Sequence, residues 1–244
     1  MQSHLKIEHM IDVTLPTIRS HLLRTKTTLK LVRDVTINCD SLTTRQKRLH
    51  YAHNLLDGTV NILKWVFIDE SGFNGNIRRS FGRSYKGTRC FKQCQAQRGK
   101  NLSLYMTISV NGVIHHKLKS GSFDRSAFQE FLTELSIIIG DEEVYFIMDN
   151  CRIHYETFAE YDRHKIVFLP PYSPMLNPIE SIFSVLKSNV KSENAKANII
   201  KSAQSHTALK KSIEDWIFSN MSVDMTRYFR HCQEYNHRCI KKIY

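Results

Sequence analysis

At 244 residues, with 41% hydrophobic residues and a formal net charge of +12, the chain is long enough to bury one good core and basic enough to favour a polyanionic partner. Its longest apolar runs, Trp65 to Ile68 and Ser136 to Gly140, fall far short of a membrane span, and no charged-then-apolar leader opens it; an intracellular, non-secreted protein with no membrane partner is expected. The six cysteines are then expected as reduced thiols, not as a disulfide framework.

The first 60 residues read as short helical pieces. In "TLPTIRSHLLR" (14–24), Leu15, Ile18, Leu22 and Leu23 recur at helical spacing while Arg19 and Arg24 project elsewhere. With Thr14 as N-cap and Pro16 in the first turn, this fits the second helix of a helix-turn-helix or an ordinary amphipathic helix. "TTRQKRLHYAHNLL" (43–56) reads as a linker helix into the core.

The pattern then changes. "KWVFIDESGF" (64–73) is continuously apolar until Asp69, which predicts a central strand covered on both faces and ending in an acid. Glu70 would point to the face opposite Asp69. From Asn76 to Lys100 the basic residues Arg78, Arg79, Arg83, Lys86 and Arg89, with others beyond, are interleaved with Phe81, Tyr85 and Phe91, and no acid interrupts them. Such a stretch suits a segment that tracks a phosphate backbone, although a solvated face has the same composition.

"NLSLYMTISVNGVIHHKLKSG" predicts a hairpin turning at Asn111-Gly112, and a helix is expected from about Asp124 to Ile138. "EVYFIMDN" (143–150) repeats the apolar run that ends in an acid, now Asp149, followed by Asn150. A short helix near 154–161 and a strand "KIVFLP" follow. The next stretch, "PPYSPMLNPIE", turns into a helix with Asn177 as N-cap, Pro178 at the first position and Glu180 three after the cap. A capping box alone would explain Glu180. The helix buries Ile179, Ile182, Phe183, Leu186 and Val190, with Glu180 on the border of that face. A basic helical tail with the stripe Leu209, Ile213, Trp216 and Ile217 closes the chain.

Three carboxylates are therefore candidates for chemistry: Asp69, Asp149 and Glu180. An isolated Asp after a strand is commonly a turn former. Two acids at neighbouring strand ends, however, repel unless a positive charge lies between them, and oxygen-only ligands suit Mg²⁺ or Mn²⁺. A glycosidase carboxylate pair would give no reason for the basic stretch. Zinc on Cys90 and Cys94, or on His231, Cys232, His237 and Cys239, matches no strong finger spacing.

The segments "VFIDESGF", "RRSFGRSYKGTRC", "YFIMDNCRIH" and "LPPYSPMLNPIESIFSVLK" resemble those of the mariner-like DDE transposases and related bacterial insertion-sequence transposases, over roughly residues 64 to 191. The resemblance implies an α/β, RNase H-like mixed five-stranded sheet flanked by helices, with a short helical N-terminal region and a helical C-terminal tail. It implies three regions: a partial DNA-binding region and linker helix (1–60), a catalytic domain (61–195) and a basic extension (196–244). It maps a catalytic and metal-binding triad onto Asp69, Asp149 and Glu180 with two Mg²⁺ ions, Mn²⁺ substituting. Asn150, His154 and Asn177 would support the triad. Arg78, Arg79, Arg83, Lys86, Arg89, Arg19, Arg24 and Lys187 would contact DNA.

The implied activity is metal-dependent strand cleavage and strand transfer on double-stranded DNA, at element ends and target, by a homodimer without a small-molecule substrate. The expected location is the nucleus of a eukaryotic host, or otherwise the cytoplasm or nucleoid. The chain departs from the family pattern in three ways: few residues precede Asp69, only thirty lie between Asp149 and Glu180, and Tyr85 stands where proline is common. A truncated copy, a catalytically silent DNA-binding remnant and an RNase H-like nuclease are the readings these departures leave open.

Overall fold

In a computed structural model, the protein is described at residues 2–27, 36–56, 61–74, 85–88, 101–151, 164–196 and 202–241. The chain divides into two compact units, Met1–Ile37 and Asn38–Tyr244. In the first, helix α1 (Gln2–His9) precedes α2 (Leu15–Arg24). The Thr14 hydroxyl accepts the Thr17 amide at 3.4 Å, which is the N-cap expected from the sequence. The α2 stripe is only half covered. Ile18 and Leu22 are half-buried, while Leu15 and Leu23 are 64% and 67% exposed.

The second unit is built on a five-stranded sheet of order β3-β2-β1-β4-β5. Its strands are β1 (Trp65–Phe73), β2 (Leu102–Ser109), β3 (Gly112–Ser120), β4 (Tyr145–Met148) and β5 (Lys165–Phe168). β1, β2 and β3 pair antiparallel, whereas β1, β4 and β5 run parallel. The hairpin turns at Asn111 and Gly112, as the Asn-Gly pair predicts, and Gly112 takes φ of 132°. Among the described residues, helices α3 (Leu42–Leu56), α4 (Arg125–Ile139), α5 (Pro178–Lys196), α6 (Ser202–Phe218) and α7 (Thr226–Ile240) belong to the same unit.

Alternation along β1 divides the core in two. Val66 and Ile68 face α4, where they meet Tyr105, Phe128, Phe131, Leu135 and Phe146. Trp65 and Phe67 face the other way, onto Ile147, Met106 and the stripes of α5, α6 and α7, with Tyr51, Ala52 and Leu55 of α3. This explains the continuous apolar run: both faces are covered, and each fully buried Phe or Ile contributes about 1.5–3 kcal/mol relative to exposure. The C-terminal residues are helical as expected, but in two helices whose stripes join this core. Phe229 of α7 meets Phe67 edge to face at 5.4 Å between centroids.

One expectation changes. β1 does not stop at Asp69 but continues to Phe73, because β2 pairs with it through that residue. What stops near Asp69 is the parallel partner.

Candidate active site

The register with β4 matches Trp65 to Tyr145, Val66 to Phe146 and Phe67 to Ile147. Asp69 and Asp149 each lie two residues beyond the last of these pairs, so they are level with one another. By the period of two they share the face of Phe67 and Ile147. Neighbouring strands run about 4.8 Å apart, so two carboxylates overhang there side by side. Asp69 is half-buried and Asp149 exposed.

The third carboxylate arrives from the turn after β5. Leu176 and Asn177 close a single 3-10 turn onto Ser173 and Pro174, and α5 starts at Pro178. Asn177 is buried and its side chain works at both ends. Its Oδ1 accepts the Ile179 amide at 3.3 Å, capping α5, and its Nδ2 donates to Asp69 Oδ2 at 2.8 Å. The other Asp69 oxygen, Oδ1, accepts the Glu70 amide at 2.7 Å. The helix start is thus tied to the first acid. The Asn177 amide donates to the Pro174 carbonyl at 3.1 Å, the hydrogen bond a capping-box glutamate would otherwise accept, and Glu180 is exposed on the cleft side.

Asp69, Asp149, Asn150, Asn177 and Glu180 line one cleft of about 370 Å³, walled by Leu169 and the turn from Pro170 to Pro174. Among the described residues, no three His, Cys, Asp or Glu side chains converge closely enough to hold a metal ion as they stand. The carboxylates share a space without meeting at a point. The donor set nevertheless suits a hard divalent cation: it is anionic and all oxygen, and the volume leaves room for the waters that Mg²⁺ retains. A larger groove of about 830 Å³ adjoins it between α3 and β4–β5, but it is lined by Lys47, His50, Trp65 and other residues without a carboxylate.

Glu70 stands off the cleft, paired in register with Tyr105 on the α4 face. Burial, and then the charge of Glu70, push the Tyr105 hydroxyl above its ordinary range. Of the expected DNA contacts, Arg19, Arg24 and Lys86 are exposed, the last in a turn closed by Thr88 onto Tyr85. Lys187 places its ammonium 5.4 Å from the centre of the Phe73 ring. It follows Glu180 by seven residues, so it lies on the same side of α5. Arg78, Arg79, Arg83, Arg89 and His154 lie outside the described residues, as do Cys90 and Cys94. Cys232 and Cys239 are buried in the core instead of meeting the exposed His231 and His237, and burial pushes the Cys232 thiol up to about 12.

Sequence reasoning missed Arg48. It is 3% exposed, on the α3 stripe that also carries Tyr51, Ala52 and Leu55, and it reaches the turn that walls the cleft. An arginine at a core-facing helical position was the signal available.

A mixed sheet with two level carboxylates where the parallel pairing of β1 and β4 stops, and a third on the helix after β5, defines an RNase H-like domain with an acidic cleft. Residues 64–201 match the family model of the DDE superfamily endonucleases, and the chain belongs to that family. By structure it is similar to the Mos1 transposase paired-end complex with left transposon end, at 19% identity over 99% of this chain and 73% of that one, with a TM-score of 0.76. The Mos1 strand transfer complex gives 18%, 99% and 72%, with a TM-score of 0.73. The catalytic domain of Mos1 mariner transposase gives 18%, 87% and 97%, with a TM-score of 0.58. Other Mos1 paired-end complexes contain Mn or Mg. No curated protein matches the chain by sequence. At these identities the structural likeness establishes the fold.

Proposed function

We propose that the chain is a mariner-like DNA transposase that cleaves DNA strands and transfers them, with Asp69, Asp149 and Glu180 as ligands for two Mg²⁺ ions, Mn²⁺ substituting. The observation that carries this reading is the level overhang of Asp69 and Asp149 in one cleft with Glu180. Asp69, whose two oxygens are each held within the fold, would bind the ions together with Asp149 and Glu180. Bound divalent ions would supply the charge that activates a water or a 3′-hydroxyl and stabilises the leaving oxygen of a phosphodiester.

The chain's own residues prepare that cleft. The Asn177 amide group and the Glu70 backbone N–H each hold one Asp69 oxygen, so its orientation is set before a cation arrives. Asn150 follows Asp149 at the cleft wall and would orient a ligand or phosphate, with His154 near it in sequence. Lys187, on the Glu180 side of α5, would meet a phosphate of DNA lying across the cleft; Arg19, Arg24, Lys86, Arg78, Arg79, Arg83 and Arg89 would be further contacts to DNA. In this reading residues 1–60 bind DNA, 61–195 carry the chemistry and 196–244 add a basic surface. The active form would be a homodimer on element-end and target DNA, in the nucleus or the nucleoid.

A nicking assay on DNA bearing the element's inverted ends tests the proposal. Intact protein nicks with Mg²⁺, and Asp149→Asn lowers the rate by about a thousandfold or more, since a metal ligand is lost. Equal background rates from both would overturn it. One observation favours a second reading: no three-carboxylate cluster is closed among the described residues. A silent DNA-binding chain would show salt-sensitive binding indifferent to Mg²⁺ and to loss of Glu180.

A further inference from the structure

Arg48 carries the inference furthest. Its guanidinium is buried in the second unit and donates both to the turn at Tyr172–Ser173 and to Cys39. Nε donates to Ser173 Oγ at 2.9 Å, and Nη2 donates to the Tyr172 carbonyl at 2.7 Å and to the Cys39 carbonyl at 2.9 Å. Ser173 Oγ in turn donates to the Pro171 carbonyl at 2.9 Å. The planar fork of an arginine can hold a hydroxyl and two carbonyls at once, which an ammonium on a flexible stem cannot do with the same geometry.

The stretch it holds needs holding. Tyr172 has φ of 53°, the left-handed region, which crowds the Cβ of an ordinary L-residue against its own backbone. From Tyr172 the chain has no slack before the cleft. Leu176 bonds back to Ser173, Asn177 bonds back to Pro174, Asn177 reaches Asp69, and Glu180 follows on the first turn of α5. A shift of the turn therefore moves both the amide that orients Asp69 and the carboxylate opposite it. Displacements near 1 Å are enough to matter at such a site.

We propose that Arg48 is a positioning residue: a strut from α3 to the Pro171–Ser173 turn that sets Asn177 and Glu180 against Asp69, and so sets the affinity of the cleft for divalent cations. This rests on the metal-site reading above. Arg48 acts through the turn, by the contacts to Ser173 and Tyr172.

The test is a Mn²⁺ titration of the full chain, followed by the electron paramagnetic resonance of free Mn²⁺, with far-UV circular dichroism alongside. Arg48→Lys keeps the charge and loses the fork; its dissociation constant for Mn²⁺ rises about tenfold while the fold is retained, the range seen when outer partners of metal ligands are removed. Ser173→Ala removes the Nε contact alone and gives a smaller rise. Asp69→Asn abolishes binding. If Arg48→Lys loses stability but binds Mn²⁺ as the parent does, while Asp69→Asn does not bind, the strut is overturned and the metal site stands. If the parent binds no Mn²⁺, the metal site is overturned and the strut with it. Should Arg48→Lys not fold, Ser173→Ala decides: an unchanged dissociation constant overturns the strut.

Discussion

The two sides of β1 are built differently. On one side β2 pairs with it antiparallel from Phe67 through Phe73, past Asp69, and β3 extends that ladder. On the other side β4 pairs with it parallel over Trp65–Phe67 only, and β5 is four residues long. The long side fixes the backbone that carries Asp69. The short side stops early and leaves Asp69 and Asp149 overhanging a cleft that the turn after β5 can reach. One strand thus serves as scaffold on its left and as site on its right, and substitutions on the two sides should separate stability from chemistry.

The largest effect is expected at the seam, where both sides meet. Phe67 is 1% exposed, pairs with Ile108 and Ile147, and packs on Phe229. Phe67→Ala should cost about 3–5 kcal/mol in urea unfolding, since a buried aromatic leaves a cavity among rigid neighbours. A loss under about 1 kcal/mol would mean that the two sides do not share this support.

On the scaffold side, Gly112 is the sharper probe. A Cβ there would lie 2.4 Å from the Met221 carbonyl oxygen, and φ of 132° already disfavours any other residue. The hairpin is held against that same turn by Val113 donating to the Asn220 carbonyl at 3.2 Å. Gly112→Ala should therefore cost about 1–3 kcal/mol of stability. Below its own melting range, Mn²⁺ binding by the variant should match the parent; a weakened affinity would show that the scaffold side reaches the cleft after all.

On the site side the balance reverses. Asn177→Ala removes a helix cap worth about 1 kcal/mol, and it also strips Asp69 of a side-chain donor. The stability loss should be small, while the Mn²⁺ affinity falls by about ten- to a hundredfold. If stability fell and affinity did not, Asn177 would be a cap and nothing more.

How much of this was legible depended on distance along the chain. The covered strands' apolar runs, the Asn-Gly hairpin and the Asn177-Pro178 helix start are written locally, and each stands where its residues imply. The extension of β1 past Asp69 was not, because it depends on a ladder with residues some 35 positions away, after the apolar run has ended in Asp-Glu-Ser-Gly. The break between α6 and α7 carries no Gly or Pro; its local signs are the weaker turn formers Ser219, Asn220, Ser222 and Asp224, the last accepting the Thr226 amide at 2.8 Å. Arg48 reaches Tyr172 across 124 residues, and nothing in "RQKRLHYAH" separates it from the exposed basic residues beside it except its place on the stripe.

The smallest expected effect lies on the scaffold side and reads out against pH. His116 on β3 pairs with Met106 and is half-buried. Burial first, and then the neighbouring His115, hold its pKa below the ordinary 6.5, with Glu214 of α6 opposing them. The folded state therefore binds this proton more weakly than the unfolded chain does. Its contribution is complete above pH 6.5 and is lost as pH falls from there through the lower folded value. The window is distinct from that of Glu134, whose carboxyl is held below its ordinary 4.5 chiefly by the hydrogen bond from Lys117 and which loses its contribution only in stronger acid. The thermal midpoint should decline as pH falls below the ordinary 6.5, and His116→Gln should flatten that decline without touching the one at lower pH. A variant whose profile runs parallel to the parent's would move the titration to another group and leave the scaffold side indifferent to pH in this range.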